Sequence, residues 1–256
     1  MKKIMFMAAF MLLSCGTAFA QFANTSGSST TKTRTISSTA NTDTWSSLYF
    51  QWNPSSLVPD KGDNQSFTGL TLGYNHSISL MKTQPLFLEI GGALQYSFFS
   101  EEWDEDDWDS DDYDAPRNKW NMVSVKVPIS VTYNWQVSDK VAIAPYLGLT
   151  MRLNVWGDQK VKFDGDFVDD VEDYYGKNSS QYETIEEAQE SKNIFDKNDM
   201  GGKDATANRF QLGWQIGVNF KFNNKFYIGA AYGSDFMEYS KKVKISQPSI
   251  TVGLIF

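Results

Sequence analysis

The sequence predicts an all-β fold: an eight-stranded antiparallel up-and-down transmembrane β-barrel with long acidic extracellular loops. Three observations predict it. Apolar residues recur at every second position through eight segments. The positions between them hold mostly small or neutral polar residues, with few of the charges of a solvated sheet face. The connections between segments alternate in length. The clearest stretch is 209–233, where Phe210, Leu212, Trp214, Ile216, Val218, Phe220 and Phe222 alternate with Gln211, Gly213, Gln215, Gly217, Asn219 and Lys221. After Asn223, Asn224 and Lys225 the pattern resumes with Phe226, Ile228, Ala230 and Tyr232, which completes a β-hairpin. A face of Gln, Gly and Asn suits a narrow interior in which side chains satisfy one another, and a face of Trp and Phe without charge suits lipid. A soluble sandwich or lipocalin-like barrel is the alternative for this hairpin taken alone.

The chain opens with Lys2 and Lys3, an apolar run from Ile4 to Leu13 and then Ala18, Phe19 and Ala20, the three parts of a secretory signal peptide. Residues 1–20 are therefore expected to be removed. A lipobox-like Leu12-Leu13-Ser14 before Cys15 is a competing reading, in which Cys15 becomes an acylated N-terminus. Cys15 is the only cysteine, so the barrel holds no disulfide. Residues 21–44 are rich in Ser and Thr with no hydrophobic period and read as a disordered leader, leaving 45–256 for the barrel. Beyond the N-terminus no apolar run is long enough for a membrane helix, a test that barrel strands evade because every second residue is polar.

The strands then follow in order. The first shows Leu48, Phe50 and Trp52. The second shows Leu70, Leu72, Tyr74, Ile78 and Leu80, and the third Leu86, Leu88, Ile90, Leu94, Tyr96 and Phe98. The fourth shows Val123, Val125, Val127, Ile129, Val131, Tyr133 and Trp135, and the fifth Ile143, Leu147, Leu149, Met151, Leu153 and Val155. The hairpin supplies the sixth and seventh, and Ile250, Val252, Leu254 and Phe256 the eighth. Links 81–84, 136–140 and 223–225 are short and those after the first, third and fifth strands longer, as for periplasmic turns and external loops. Aromatic girdles are expected from Trp45, Trp135, Phe222, Phe226 and Phe256 at the periplasmic rim and from Trp52, Trp120 and Trp156 at the outer one. Pro128 and Pro145 fall inside strands, where each removes a ladder donor, so a bulge or a gap in pairing is expected there.

In these features residues 45–256 resemble the small eight-stranded outer-membrane barrels of the OmpX and OmpA-transmembrane-domain type. Ile250 to Phe256 looks like the terminal segment that barrel-assembly machinery reads. The resemblance implies an outer-membrane location, contact with lipid, and a monomer or a subunit of an envelope complex. It implies no particular activity.

Of the candidate chemistry, His76 is the sole histidine, and Ser77 and Ser79 beside it face the opposite way in a strand. A non-enzymatic role is expected, with a lipid-modifying enzyme and a small pore as alternatives. Inward Glu89, Lys126, Arg152 and Lys221 are expected to form a polar, ionic plug, with Glu89 and Lys221 as a pair. Asp107, Asp109 and Asp111 copy the opening of a calcium loop, but Asp112 stands where Gly is needed and Asn118 where Glu is needed, leaving at most loose cation binding. In the longest loop, a hairpin about Asp164-Gly165 and a short helix capped at Thr184 are expected to extend the wall, with a mobile loop as the alternative.

Segments 101–119 and 157–207 together hold 24 of the chain's 31 acidic residues and 8 of its 23 basic ones, a net of −16. Trp103, Trp108 and Tyr113, set among these acids, are expected to form a surface site for divalent cations or a basic partner. No cofactor and no nucleic-acid partner are expected.

Overall fold

The computed structural model describes residues 43–103 and 113–256. The expected signal peptide, Cys15, the leader as far as residue 42, and Asp107, Trp108, Asp109 and Asp111 lie outside the described residues.

The strands are β1 (Trp45–Pro59), β2 (Gln65–Ser79), β3 (Leu86–Glu102), β4 (Arg117–Tyr133), β5 (Trp135–Ser138), β6 (Val141–Lys162), β7 (Lys192–Asn193), β8 (Phe210–Phe222), β9 (Phe226–Asp235) and β10 (Val243–Ile255). Each pairs antiparallel with its neighbour, β4 pairs directly with β6, and β10 returns to β1, so eight strands close a barrel. The short β5 and β7 are additions along β6. Closure removes the sheet edge, which would otherwise expose unpaired backbone groups.

Alternation sorts the side chains as their polarity requires. Leu48, Phe50, Trp52, Leu72, Leu94, Leu147, Ile228 and Leu254 stand exposed on the outer wall, while Ser47, Thr71, Gln95, Ser124, Gln211 and Thr251 are buried inside. The interior also matches large residues to small ones across strands. Inward Tyr49, Tyr146 and Tyr227 lie in register with Gly73, Gly217 and Gly253. A Cβ added at Gly73 would stand 2.3 Å from the Tyr49 ring, and one at Gly253 would stand 2.3 Å from the Tyr227 ring. The missing side chain is the slot for the ring.

Several expectations change. The first external connection, residues 60–64, is no longer than a turn, because β1 and β2 stay paired as far as Leu57↔Gln65 and consume the chain as taller wall. Pro128 does coincide with a pairing gap: the β3–β4 ladder skips from Ile90↔Ile129 to Ala93↔Lys126. Pro145 lies where β6 changes partner from β4 to β5. A third gap occurs on the β1–β10 seam between Trp52↔Ile250 and Ser56↔Ser246, where Pro54 and Pro248 each lack a donor.

No hairpin forms about Asp164-Gly165. The Asp164 carboxylate instead accepts from Asp166 N at 3.1 Å and caps helix α1 (Gly165–Tyr175), since an Asp read as a turn residue is equally an N-cap. Helix α2 (Ser180–Gln189) begins before the expected capping box. Ser179 is its cap, and Thr184 lies within it, donating to Ser180 O at 2.7 Å.

The Tyr49 slot is testable by urea titration of refolded protein. Gly73→Val should lower stability by about 1–3 kcal/mol, and Tyr49→Ala in the same chain should recover part of that loss. An equal loss in both backgrounds would show that the ring and the glycine are not coupled.

Candidate functional site

All four sequence-identified lumen residues, Glu89, Lys126, Arg152 and Lys221, are buried inside the barrel. Arg152 pairs with Asp235 at 3.1 Å, with both side chains 4% exposed, and also donates to Gln211 Oε1 at 3.0 Å. Lys126 Nζ donates to Gln247 Oε1 at 3.0 Å, Gln247 to Gln95 at 3.3 Å, and Gln95 to Ser97 at 2.8 Å. The expected Glu89–Lys221 ion pair does not form. Trp45 turns inward rather than joining the periplasmic girdle, packs its edge on Phe87 at 4.2 Å, and holds the Lys221 ammonium over its ring at 3.5 Å. Asp235 escaped the sequence reading because the seventh strand was ended at Gly233; continued inward alternation through Ala231 and Gly233 would have reached it. The lumen leaves small polar cavities, roughly 20 Å3 beside Arg152 and Asp235 and roughly 40 Å3 beside Glu89 and Tyr146, the volume of a few water molecules.

Above this polar layer the inner face becomes apolar. Phe67, Trp120, Met122 and Ile245 point inward and are covered by Ile194 and Ala207 from the long loop and by Tyr239 from the β9–β10 connection. Trp120, expected in the outer girdle, is 4% exposed within this core and packs against Phe67 and Tyr239. Backbone bonds from Ile194 to Gly157 O (3.4 Å), Ala207 to Ile194 O (2.9 Å) and Asn208 to Tyr239 O (2.6 Å) fix the loop across the mouth. Gly157 is the point of closest approach, since a Cβ there would lie 2.4 Å from Ile194 Cδ1. Burial pushes the Tyr239 phenol up from its ordinary pKa. The barrel is thus corked by a small core of the kind found in soluble proteins. Its signal was present in the sequence: inward positions change from Ser, Gln and Lys to Phe, Trp, Met and Ile.

The acidic segments meet outside this core. Trp103 packs edge-on against Phe163 at 6.1 Å and Tyr113 against Phe167 at 5.4 Å. Tyr113 also donates to Asp170, and Asp114 N donates to Asp164 Oδ2 at 3.1 Å. Trp103 and Tyr113 are therefore half-buried rivets between the two segments rather than exposed anchors. Among the described residues of these segments the exposed aromatics are Tyr174 and Tyr175 at the end of α1, 79% and 52% exposed, beside the exposed acids Asp166, Asp169, Asp170 and Asp173. The expected hairpin about Asp164-Gly165 gave them no role; the helix capped at Asp164 is what carries them.

On the outer wall His76 lies opposite Ser46 of β1 in register. Ser46 Oγ is 3.0 Å from His76 Nδ1 and 2.8 Å from the Tyr74 hydroxyl. The serine that meets the imidazole is thus on the neighbouring strand, not at Ser77 or Ser79. Among the described residues no carboxylate hydrogen-bonds the His76 ring.

A closed antiparallel barrel with an apolar outer wall and a polar, ion-paired interior has the architecture of a small outer-membrane β-barrel. No protein-family model and no curated protein matches the sequence. Among solved structures the chain is similar to Ail, the attachment invasion locus protein of Yersinia pestis, solved with the heparin analogue sucrose octasulfate. That match has 15% identity and a TM-score of 0.41 over 84% of this chain and 99% of that one. It is similar to Neisserial surface protein A at 12% identity and a TM-score of 0.42, over 84% and 99%. It is also similar to the outer-membrane enzyme PagL at 11% identity and a TM-score of 0.39, over 81% and 97%. What defines the fold is the chain's own closed strand pairing.

Removing one member of the lumenal ion pair should be costly. Arg152→Ala leaves the buried Asp235 carboxylate without its hydrogen-bonded cation and should destabilise the barrel by about 3–5 kcal/mol, while an apolar replacement of both partners should recover most of that loss. Urea titration of the three proteins in detergent checks both outcomes.

Proposed function

We propose that the protein is exported by removal of residues 1–20, carries residues 21–44 as a leader, and spans an outer membrane as a non-enzymatic, non-conducting barrel. Its outer loops bind a basic partner, with the barrel acting alone or as an accessory subunit of an envelope complex. The observation that carries this reading is the folded cork. It blocks the lumen and at the same time supports a surface on which α1 and α2 present Asp166, Asp169, Asp170, Asp173, Glu183, Glu186, Glu187 and Glu190, all exposed. Like charges so dense repel and attract a cationic surface, and exposed Tyr174 and Tyr175 beside them supply the contact area that charge alone lacks. Among the described residues no three acidic or His side chains converge as metal ligands would. The exposed tyrosines beside the acids favour a basic macromolecule, which offers contact area, over a bare divalent ion.

Calorimetric titration with basic peptides at physiological ionic strength, where screening beyond roughly 8 Å removes diffuse attraction, should show binding that Tyr174→Ala weakens. Exchanging the four α1 aspartates for Asn should abolish it. Calcium and magnesium, titrated separately, should bind more weakly; tighter calcium binding would replace the basic partner with a cation. In planar bilayers the purified protein should give no steady single-channel steps, and steps sensitive to Lys126 substitution would restore the pore.

The Ser46–His76 contact favours one further reading, acyl transfer or hydrolysis at the lipid-facing wall, because a serine hydroxyl within hydrogen-bond reach of an imidazole is the core of a nucleophile and base pair. The same hydroxyl is engaged by Tyr74, and no carboxylate among the described residues orients the ring, so binding is the preferred role. Lipid profiles of cells carrying wild-type protein or His76→Ala should be identical; an acylation change that disappears with His76 would establish the enzyme instead.

A further inference from the structure

The outer wall of β3, β4 and β6 carries a second charged surface, opposite in sign to the loops. Up these strands the outward positions stay free of charge: Leu88 to Phe98 on β3, Val131 to Val123 on β4, and Leu147 to Trp156 on β6. The next rung is Phe98–Asn121–Asp158. Above it come Ser100–Lys119–Lys160 and then Glu102–Arg117–Lys162. Two adjacent rungs thus place four cations on neighbouring strands, each cation of β4 directly opposite one of β6.

A β-bulge creates this arrangement. Asn154 pairs with Ser124 and Trp156 with Val123, leaving Val155 as the extra residue. Below it the even-numbered Arg152 and Asn154 face inward; above it Gly157 is buried and Trp156 is 50% exposed on the outer wall. Without the bulge, alternation would turn Asp158, Lys160 and Lys162 into the mouth.

Like charges directly opposite one another in an antiparallel pair are destabilising. Glu102 answers Arg117, through a hydrogen bond from Arg117 Nε at 2.7 Å. Among the described residues Lys119, Lys160 and Lys162 have no carboxylate within ion-pair distance, and Asp158, the acid on the rung below, accepts from Ser191 Oγ at 2.9 Å. An anion between Lys119 and Lys160 would turn repulsion into two charge-assisted hydrogen bonds. The level of the patch says where that anion comes from. It lies just beyond Tyr96, Phe98 and Trp156, and rings of this kind mark the depth of lipid headgroups. It also faces sideways from the wall, away from the mouth.

We propose that the outer face of β4 and β6 around Lys119, Lys160, Lys162 and Arg117 is a binding surface for the phosphorylated headgroup of an outer-leaflet lipid. The proposal rests on the reading of the chain as a membrane barrel. It is tested with the full mature chain inserted into phosphatidylcholine vesicles containing phosphorylated lipid A, extracted in mild detergent, with retained lipid measured by mass spectrometry. Wild-type protein should retain lipid A in preference to phosphatidylcholine. Lys119→Gln with Lys160→Gln should reduce that retention by roughly thirtyfold, as loss of two cations beside an anionic headgroup implies. Lys119→Arg with Lys160→Arg should keep it. Faster migration of unboiled protein on gels reports insertion for every variant. Equal retention by wild type and the double Gln variant, with insertion intact, would overturn the lipid surface and leave the membrane reading standing. Failure of the wild-type chain to insert would overturn both. Inositol hexakisphosphate is the soluble-phosphate control: if it displaces lipid A from the same lysines, the surface is a soluble-polyanion site and the lipid assignment falls.

Discussion

Hydrocarbon offers no partner to a backbone N–H or C=O, and the rest of this structure follows from that constraint. A sheet in lipid must close on itself, so β1 and β10, the first and last strands, are obliged to meet. Once closed, the wall has one dry face and one enclosed face, and alternation commits every second residue to each. Residues that would make a poor solvated surface, such as Gln95, Gln211 and Thr71, become good filling for a narrow bore, where they find one another rather than water.

Enclosure then sets terms for charge and size. Arg152 is tolerable inside because Gln211 and Asp235 accept from its two terminal nitrogens, and Lys221 because an aromatic face covers it. Rings as large as Tyr49 and Tyr227 fit because the residue across the ladder is glycine. Where the strands rise beyond the apolar band, the inner face no longer needs polar filling. Phe67, Trp120 and Met122 there gather a loop core by ordinary hydrophobic burial. One continuous wall therefore uses two kinds of core, and the change between them closes the lumen.

Charge on the outside is sorted by height and direction. Acids occupy the helices above the cork, where water screens their repulsion, and the two acidic segments are held together by edge-on ring contacts of Trp103 and Tyr113. Cations occupy the wall, those of β6 re-aimed outward by the single extra residue at Val155. A net formal charge of −8 describes neither surface, because it averages over two that face different surroundings.

By itself the sequence determined the barrel, the number of strands in it and, along the middle of each strand, which residues face lipid. Those properties are periodic, and a period of two is written residue by residue along the chain. The lumenal placement of Glu89, Lys126, Arg152 and Lys221 followed from the same parity. Tertiary structure alone decided everything that depends on which strand lies beside which and at what register. Arg152 found Asp235 rather than a partner near in sequence, and His76 met Ser46 rather than Ser77. Trp45 and Trp120 turned inward to Lys221 and to the cork. The helices around Asp164 and Ser179 were settled by capping and by packing on the neighbouring loop, which compete with turn formation on nearly equal terms. The cationic wall required a bulge, a one-residue slip between strands that leaves no mark in either strand read alone.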